Sequence, residues 1–494
     1  MEKCLTVFFA LVFFPFLGSC ESGDDSSPSL PDKEEGDDSE IVVNPVSDLM
    51  AAETENPNEL LLSWNNPSDE KLVRVEISYT LEGSDGQSPV VQQEKASPGK
   101  KGTSLLKFSV YGKYLISAIA IDNYGRRSVP VTITGTPSKT GFDWVSLADS
   151  CTFVLIEQFM NKKKGTFWIS PKKLDSSASN IYWQQAHAID VLVYSYERIK
   201  DVDSQLAATY REYFDLWFKN KGNNYHHDPS DETGFLNPFT DDMCWICLTL
   251  IHFSEATGDN KFVEMARKVY DTHIIRRALK DKKGTGLPWQ SNQKERNACT
   301  NAPGCLVAAK LYKKYSEEKY LSDAKMLYDF IDVNMITKLG DGRVEEPPLT
   351  YTQGTFGEAC RQLFHITKED KYMRMSEKVI KYATTSKRCL QDGILREEGT
   401  SMDQSIFKAV FAPYAMNLAL DADCSITTRT HLKSFLKENA RRLRDSMDEK
   451  KWPEMYCNFF WGTPFTGEVA SMGAQASGAS LMESIARMFL NEKQ

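Results

Sequence analysis

Gln475-Ala476-Ser477-Gly478-Ala479-Ser480 and, a short distance upstream, Lys433-Ser434-Phe435-Leu436-Lys437-Glu438-Asn439-Ala440-Arg441-Arg442-Leu443-Arg444 are helical stretches of opposite character. The first is small on every face, which lets neighbouring helices approach closely; the second carries charge that wants water. The same contrast runs through the whole chain after Asp143. From there the apolar spacing is helical, with few β-branched runs, and twelve stretches begin near Asp143, Ile181, Val202, Thr240, Asn260, Asn297, Glu317, Thr352, Lys368, Met402, Ser425 and Ser471. The even-numbered ones are rich in Ala, Gly, Ser and Cys; the odd-numbered ones are charged. An inner ring of six helices inside an outer ring of six satisfies both the count and the alternation. The expectation is an all-α (α/α)6 barrel over residues 143–494.

If outer and inner helices alternate as antiparallel hairpins, all six inner helices begin at one end. Their free N–H groups and positive dipole ends then face one cavity. The unusual polar and aromatic residues sit at those starts: Tyr182-Trp183-Gln184-Gln185-Ala186-His187, Thr240-Asp241-Asp242, Asn297 with Asn301, Tyr351-Thr352-Gln353-Gly354-Thr355, Asp403-Gln404 with Lys408, and Gln475. A site is expected there.

Within Phe239-Thr240-Asp241-Asp242-Met243-Cys244-Trp245, Thr240 reads as an N-cap, and two aspartates in a first turn answer the helix dipole. Two carboxylates at one spot are also the minimum equipment for cleaving a glycosidic bond. Double displacement needs one on the anomeric carbon and one acid at the leaving oxygen, about 5–5.5 Å apart. Adjacent helix residues point about 100° apart, but at a helix start both can lean into a cavity beyond the end. The dipole favours ionised Asp241, and like-charge repulsion raises the other pKa. Around the pair, Trp183, Trp289 and Trp461 are either sugar-stacking platforms or core. Gln184, Asn297, Gln353, Gln404 and Lys408 either bond sugar hydroxyls or cap helices; Asn301, Tyr351 and Asp403 are further candidates. His187 is either a core histidine or a site residue. His226-His227 lies in a polar loop without a third ligand, so neither a metal nor another cofactor is expected.

Residues 1–20 read as a targeting segment: Lys3, an apolar run from Leu5 to Leu17 too short to span a bilayer, then Leu17-Gly18-Ser19-Cys20. The last four resemble a lipoprotein lipobox, which makes Cys20 the expected lipidated N-terminus. Residues 21–41 are Ser, Pro, Gly, Asp and Glu with almost nothing apolar, a solvated tether. This acidic stretch resembles the export signal of Bacteroidetes surface lipoproteins. The expected location is the outer membrane, cell-surface exposed and held by acyl chains alone. Residues 42–137 read as β: Leu60 to Trp64, the alternating Val73 to Tyr79, and Tyr114 to Asp122 are strands separated by turn residues. Their spacing suggests a sandwich. Trp64 and Tyr114 to Ser128 resemble a fibronectin type III-like domain, with a spacer role expected.

Net charge is −9 and no basic cluster alternates with aromatics, so nucleic acid is not an expected partner. Of eleven cysteines, Cys4 would leave with the signal and Cys20 would carry lipid. Cys244-x-x-Cys247 lacks a second ligand pair at zinc spacing. Cys244, Cys247, Cys299, Cys305 and Cys360 read as small buried hydrophobes.

Phe239 to Trp245, together with Trp183 to Asp190, Asn297 to Asn301, Tyr351 to Phe356 and Asp403 to Phe411, resembles in order the recurrent segments of glycoside hydrolase family 76, the endo-α-1,6-mannanases. The resemblance covers Asp143 to Met488. It implies an (α/α)6 barrel and retaining hydrolysis of internal α-1,6 bonds of mannan, such as the backbone of yeast α-mannan. Asp241 would be the nucleophile and Asp242 the acid/base. Thr240, where an aromatic is frequent, and Cys299-Thr300-Asn301-Ala302-Pro303 depart from the family pattern. The polysaccharide is the expected partner, and the protein a monomer. Two alternatives stand beside this reading: another (α/α)6 glycosidase such as an unsaturated glucuronyl hydrolase, and a surface glycan-binding lipoprotein without catalysis.

Overall fold

The computed structural model describes residues 42–54, 56–84, 88–138, 143–171 and 181–492. Cys20, the targeting segment and the acidic tether lie outside them. The chain divides into two compact units, Met1–Phe142 and Asp143–Gln494. No helix among the described residues is long and apolar enough to cross a membrane.

In the first unit, β1 (Ser47–Glu53), β2 (Glu59–Asn65), β3 (Leu72–Leu81), β4 (Val90–Lys95), β5 (Lys101–Lys107), β6 (Tyr114–Asp122) and β7 (Val131–Gly135) form two antiparallel sheets, ordered β1-β2-β5 and β4-β3-β6-β7. Alternation along β3 sends Val75, Ile77 and Tyr79 inward. They join Leu60, Leu62 and Trp64 of β2 and Ile116 and Ala118 of β6 in one buried cluster fed by both sheets. The Trp64 indole, buried in it, donates to Asn66 Oδ1 at 2.7 Å. At the start of β6 the Tyr114 hydroxyl turns back to donate to the Val110 carbonyl at 2.6 Å.

The second unit contains α1 (Trp144–Phe159), α2 (Trp183–Ile199), α3 (Ser204–Lys219), α4 (Thr240–Thr257), α5 (Asn260–Val269), α6 (Ala298–Tyr315), α7 (Glu318–Ile331), α8 (Thr350–Thr367), α9 (Asp370–Thr385), α10 (Phe407–Leu420), α11 (Ile426–Ser446) and α12 (Met472–Glu492). The even-numbered helices pack in sequence, and α12 closes on α2. Outside this ring α3, α5, α7, α9 and α11 each pack on the inner helix before them, and α1 packs on α12. This is the (α/α)6 barrel, and the residue types explain the layers. Nearly all of α4 is buried, whereas α5 buries only the stripe Phe262, Val263, Ala266 and Val269.

The two ends of the barrel differ. Turns from inner to outer helices are tight, as at 258–259, 316–317 and 368–369, while returns to the inner helices are long, as at 220–239 and 270–297. Three of the returns carry small hairpins within 160–167, 279–286 and 390–395. Side-chain capping does not follow that division: Asp143, Asp203, Asp259 and Ser425 cap outer helices and Asn297 caps inner α6, whereas α2, α4, α8 and α10, and the outer α7 and α9, begin without a side-chain cap. Thr240 is therefore not the N-cap it resembles. It is the first residue of α4, its hydroxyl accepts from Arg277 Nη1 at 3.1 Å, and Phe239 holds the cap position.

Buried amides bind the long loops to the inner helices. Gln185 of α2 exchanges two hydrogen bonds with the backbone of Phe167, both 2.8 Å. Asn301 of α6 does the same with Leu287, at 2.8 and 3.0 Å. Gln353 of α8 holds Val344, Gly342 and Val379, and Gln475 of α12 holds Cys457 and Cys151. All four side chains are fully buried. Without these bonds the loop amides and carbonyls would be stranded away from water.

Candidate active site

The starts of the inner helices and the loops before them enclose a cavity of about 490 Å³. One wall is aromatic. Tyr351 stacks on Phe407 with centroids 4.2 Å apart, and Trp183 lies 6.0–6.2 Å from Trp245, Tyr351 and Phe407. Across it Phe239 and Trp289 form a second aromatic pair at 5.3 Å. Asp241, Asp242, Asp403 and Glu295 line the same space, with no Lys or Arg among the lining residues.

The first turn of α4 delivers both Asp241 and Asp242 into this cavity, but their surroundings differ. Asp241 Oδ2 accepts from Trp289 Nε1 at 3.2 Å and from Cys299 Sγ at 3.7 Å. Its Oδ1 is buried and has no partner. Burial drives its pKa up against the helix-start amides, the indole and the thiol, which favour the ionised form, and it reaches about 7. Asp242 has none of those donors. Burial first, and then the charges of Asp241 and Asp403, hold its carboxyl well above the ordinary range. Two acids share one mouth, one supported as an anion and one not, so their surroundings push the pair apart in acidity.

Asp403 is fixed from below: Trp183 Nε1 donates to its Oδ1 at 2.8 Å and Gln184 Nε2 donates to the same atom. Asn297 lines the cavity while its Oδ1 accepts from the Thr300 amide and hydroxyl. The structure thus brings together Asp241, Asp242, Trp183, Gln184, Trp289, Asn297, Tyr351 and Asp403.

Six other candidates lie elsewhere. Asn301 and Gln353 are the loop clamps described above, with every amide atom used on backbone. Trp461 is fully buried, and Lys408 sits 4.1 Å over its ring while donating to the Phe459 carbonyl at 2.6 Å. Burial lowers the Lys408 ammonium to about 8, and the pair is interior packing with a satisfied cation. Gln404 is exposed and outside the cavity wall. His187 is buried beneath Trp183 and Trp245, its pKa depressed to about 4 by burial.

Sequence reasoning missed several wall residues. Cys244, Cys247, Cys305 and Cys360 are the buried hydrophobes expected, but Cys299 is half-buried and faces the cavity. Glu345, outside the wall itself, accepts from the Ala298 amide at 3.2 Å; burial raises it to about 7, and Asp241 adds to the shift. The acidic run Glu345-Glu346 just before the α8 stretch was its only trace. Tyr225 and Met402 come from loops whose folding the sequence does not signal.

An (α/α)6 barrel with two adjacent acids of unequal pKa in an aromatic-walled cavity is the equipment of a glycoside hydrolase. The chain belongs to glycosyl hydrolase family 76, whose sequence model matches residues 144–492. Among solved structures, the GH76A α-1,6-mannanase from Salegentibacter sp. HEL1_6 is 23% identical, with a TM-score of 0.61 over 70% of this chain and 100% of its own. An inactive variant of that enzyme, with two consecutive aspartates replaced by asparagine, was solved with α-1,6-mannotriose and matches at the same level. A family 76 glycoside hydrolase from a bovine Bacteroides thetaiotaomicron strain is 17% identical, with a TM-score of 0.58, over 90% of this chain and 100% of its own. No curated protein matches the chain.

Proposed function

We propose that this glycoside hydrolase cleaves internal α-1,6-mannosidic bonds of α-mannan with retention of configuration. The observation that carries the reading is the unequal support of two adjacent carboxyls. Asp241 is the nucleophile. Its Oδ2 is held by Trp289 and Cys299, so the unpartnered Oδ1 is the oxygen that bonds to the anomeric carbon. Asp242, whose carboxyl burial and the neighbouring acids push up, is the acid/base: it gives its proton to the leaving oxygen and takes one back from the water that opens the glycosyl-enzyme. The substrate class is supported by similarity to structures described as α-1,6-mannanases. It is also supported by charge: an acidic sugar would meet four carboxyls and no cation in the wall. That argues against a glucuronyl hydrolase. A pure binder would gain nothing from two buried, unpaired acids, each costly to keep.

Incubating the protein with unbranched α-1,6-mannan and following the anomeric proton signals of the first products tests the reading. Short oligosaccharides of α configuration are expected. An initial β product, or no cleavage by a folded protein, would overturn it.

The first unit is read as a fibronectin type III-like spacer. Three strands facing four, over a shared core, with a tyrosine turned back at the start of β6, support an immunoglobulin-like sandwich. Cys20 is the proposed acylated N-terminus that holds the enzyme at the outer membrane, on the cell surface. Cys20→Ala should move it from the membrane to the soluble fraction; a processed mutant that still pellets would sink the anchor.

A further inference from the structure

A second open groove of the barrel unit is larger than the catalytic cavity. It lies on the outer wall, about 580 Å³, between α1, the α2–α3 turn and the loop at Trp452. Its lining follows α1 from Val145 to Glu157, about 18 Å at 1.5 Å per residue. Phe153 and Trp452 stack in it with centroids 4.9 Å apart and planes 22° from parallel, yet they remain 41% and 48% exposed. Val202, 82% exposed, extends the same apolar strip. Aromatic rings of this size normally hide most of their area.

The charges bordering the strip are already answered. Arg198 bonds Asp149 at 2.6 Å and Glu483 at 2.9 Å, Lys162 pairs with Glu157, and Asp203 caps α3 through the Leu206 amide. An ionic partner would find no free counter-charge among these groups. A neutral chain with apolar faces and hydroxyl edges finds both an aromatic surface and polar groups along its border.

We propose that this groove is a second glycan-binding site, which holds a neutral α-mannan chain on the outer wall of the barrel and keeps the polymer at the enzyme between cleavages. The identity of the glycan rests on the proposed substrate. The groove itself rests on the exposed ring pair and its neutralised border.

The test uses the full-length protein. Parent, Phe153→Ala, Trp452→Ala, the double variant and Trp452→Phe are run through native gels with and without unbranched α-1,6-mannan. Each is then assayed on that polymer and on a short α-1,6-mannooligosaccharide. An aromatic contact of this kind accounts for about 2- to 10-fold in affinity. The expected result is retardation of the parent, its loss in the alanine variants, and its retention in Trp452→Phe, which keeps a ring. Polymer turnover should fall by a similar factor while the short substrate is cleaved at the parental rate. Melting curves establish that the variants are folded.

Equal retardation and equal polymer turnover for parent and double variant would overturn the proposal and leave the proposed function standing. So would a parent that cleaves both substrates but is not retarded. A parent that neither binds nor cleaves mannan would overturn the substrate reading, and this occupant with it. A parent that elutes as a dimer while the double variant elutes as a monomer would assign the groove to a second copy of the chain and overturn the glycan site.

Discussion

The two mouths of the barrel hold similar numbers of carboxyls and put them to opposite use. At the N-terminal ends of the inner helices, Asp241 and Asp242 face each other's charge with no cation in the wall, and both are pushed upward. At the C-terminal ends, a smaller cavity of about 250 Å³ is lined by Glu255, Glu358, Lys310, Arg361 and Arg487, among others. There Lys310 holds Glu255 at 2.8 and 3.0 Å, and Arg361 holds Glu358 through two bonds at 2.7 and 2.8 Å. Burial alone would raise Glu358, but the Arg361 charge and its hydrogen bonds prevail and hold it low. The helix dipoles point the same way at each end: anions suit the first mouth and cations the second. What separates chemistry from structure is pairing. Paired buried acids hold the barrel together; unpaired ones stay reactive.

The largest effect should come from removing the unpaired acids. Asp241→Ala should lose at least about 10⁴-fold in kcat on every substrate, since no glycosyl-enzyme can form. Asp242→Ala should lose about 10²–10⁴-fold on a sugar leaving group. It should keep much of its first step on an aryl mannoside with an acidic phenol, stall at the intermediate, and be accelerated by azide to a mannosyl azide of retained configuration. Equal losses for both variants on all substrates would break the assignment of roles.

The next effect belongs to the other mouth and is one of stability. Glu358→Gln should leave activity unchanged and lower stability by about 3 kcal/mol, the low end for a broken buried pair because Arg361 retains Asp421. Chemical denaturation checks the magnitude.

The two ends should also answer pH in opposite directions. Glu358 is depressed in the fold, so its contribution is present above its unfolded pKa and is lost as pH falls through the folded value. The deficit of Glu358→Gln should therefore shrink in acid. Asp241 and Asp242 are raised, so the folded state binds more protons than the unfolded one, and the parent loses stability as pH rises from about 4 through 7. Asp242→Asn, which cannot ionise, should gain melting temperature relative to the parent over that interval. Parallel pH dependence for the two variants would break the comparison.

This contrast also marks how far the sequence could be read. Layering, helix count and the position of the site were legible because each depends on residue type along a periodic pattern. The stretch placed near Met402 instead begins its helix at Phe407, after a single 3-10 turn at Gln404–Ile406, since the polar residues there serve the turn. The amides were the real ambiguity. A glutamine or asparagine one turn into an inner helix looks the same whether it faces a sugar hydroxyl or a loop carbonyl. Gln184 supports Asp403 at the cavity, while Asn301 and Gln353 clamp loops. Which one occurs depends on where a loop many residues away returns, and local sequence does not encode that. Trp289 was found as an aromatic candidate, but its bond to Asp241 depends on the same kind of return.

That bond sets the smallest of these effects. Trp289 Nε1 supports only the ionised form of Asp241, and Cys299 adds a weaker thiol donor to the same oxygen. Trp289→Phe keeps a ring against Phe239 and removes the donor. The Asp241 pKa, already raised to about 7, should move higher, so the acid limb of the kcat/KM profile should shift toward alkaline pH. A hydrogen bond to a charged group is worth about 1.5–3 kcal/mol when made, but the helix-start amides remain, so the loss near pH 7 should be about tenfold. Well above the limb, where Asp241 is ionised regardless, the variant should recover toward the parent. A uniform loss at every pH would mean that Trp289 acts by shaping the cavity rather than by holding the anion. Cys299→Ala, removing the weaker donor, should shift the limb the same way by less.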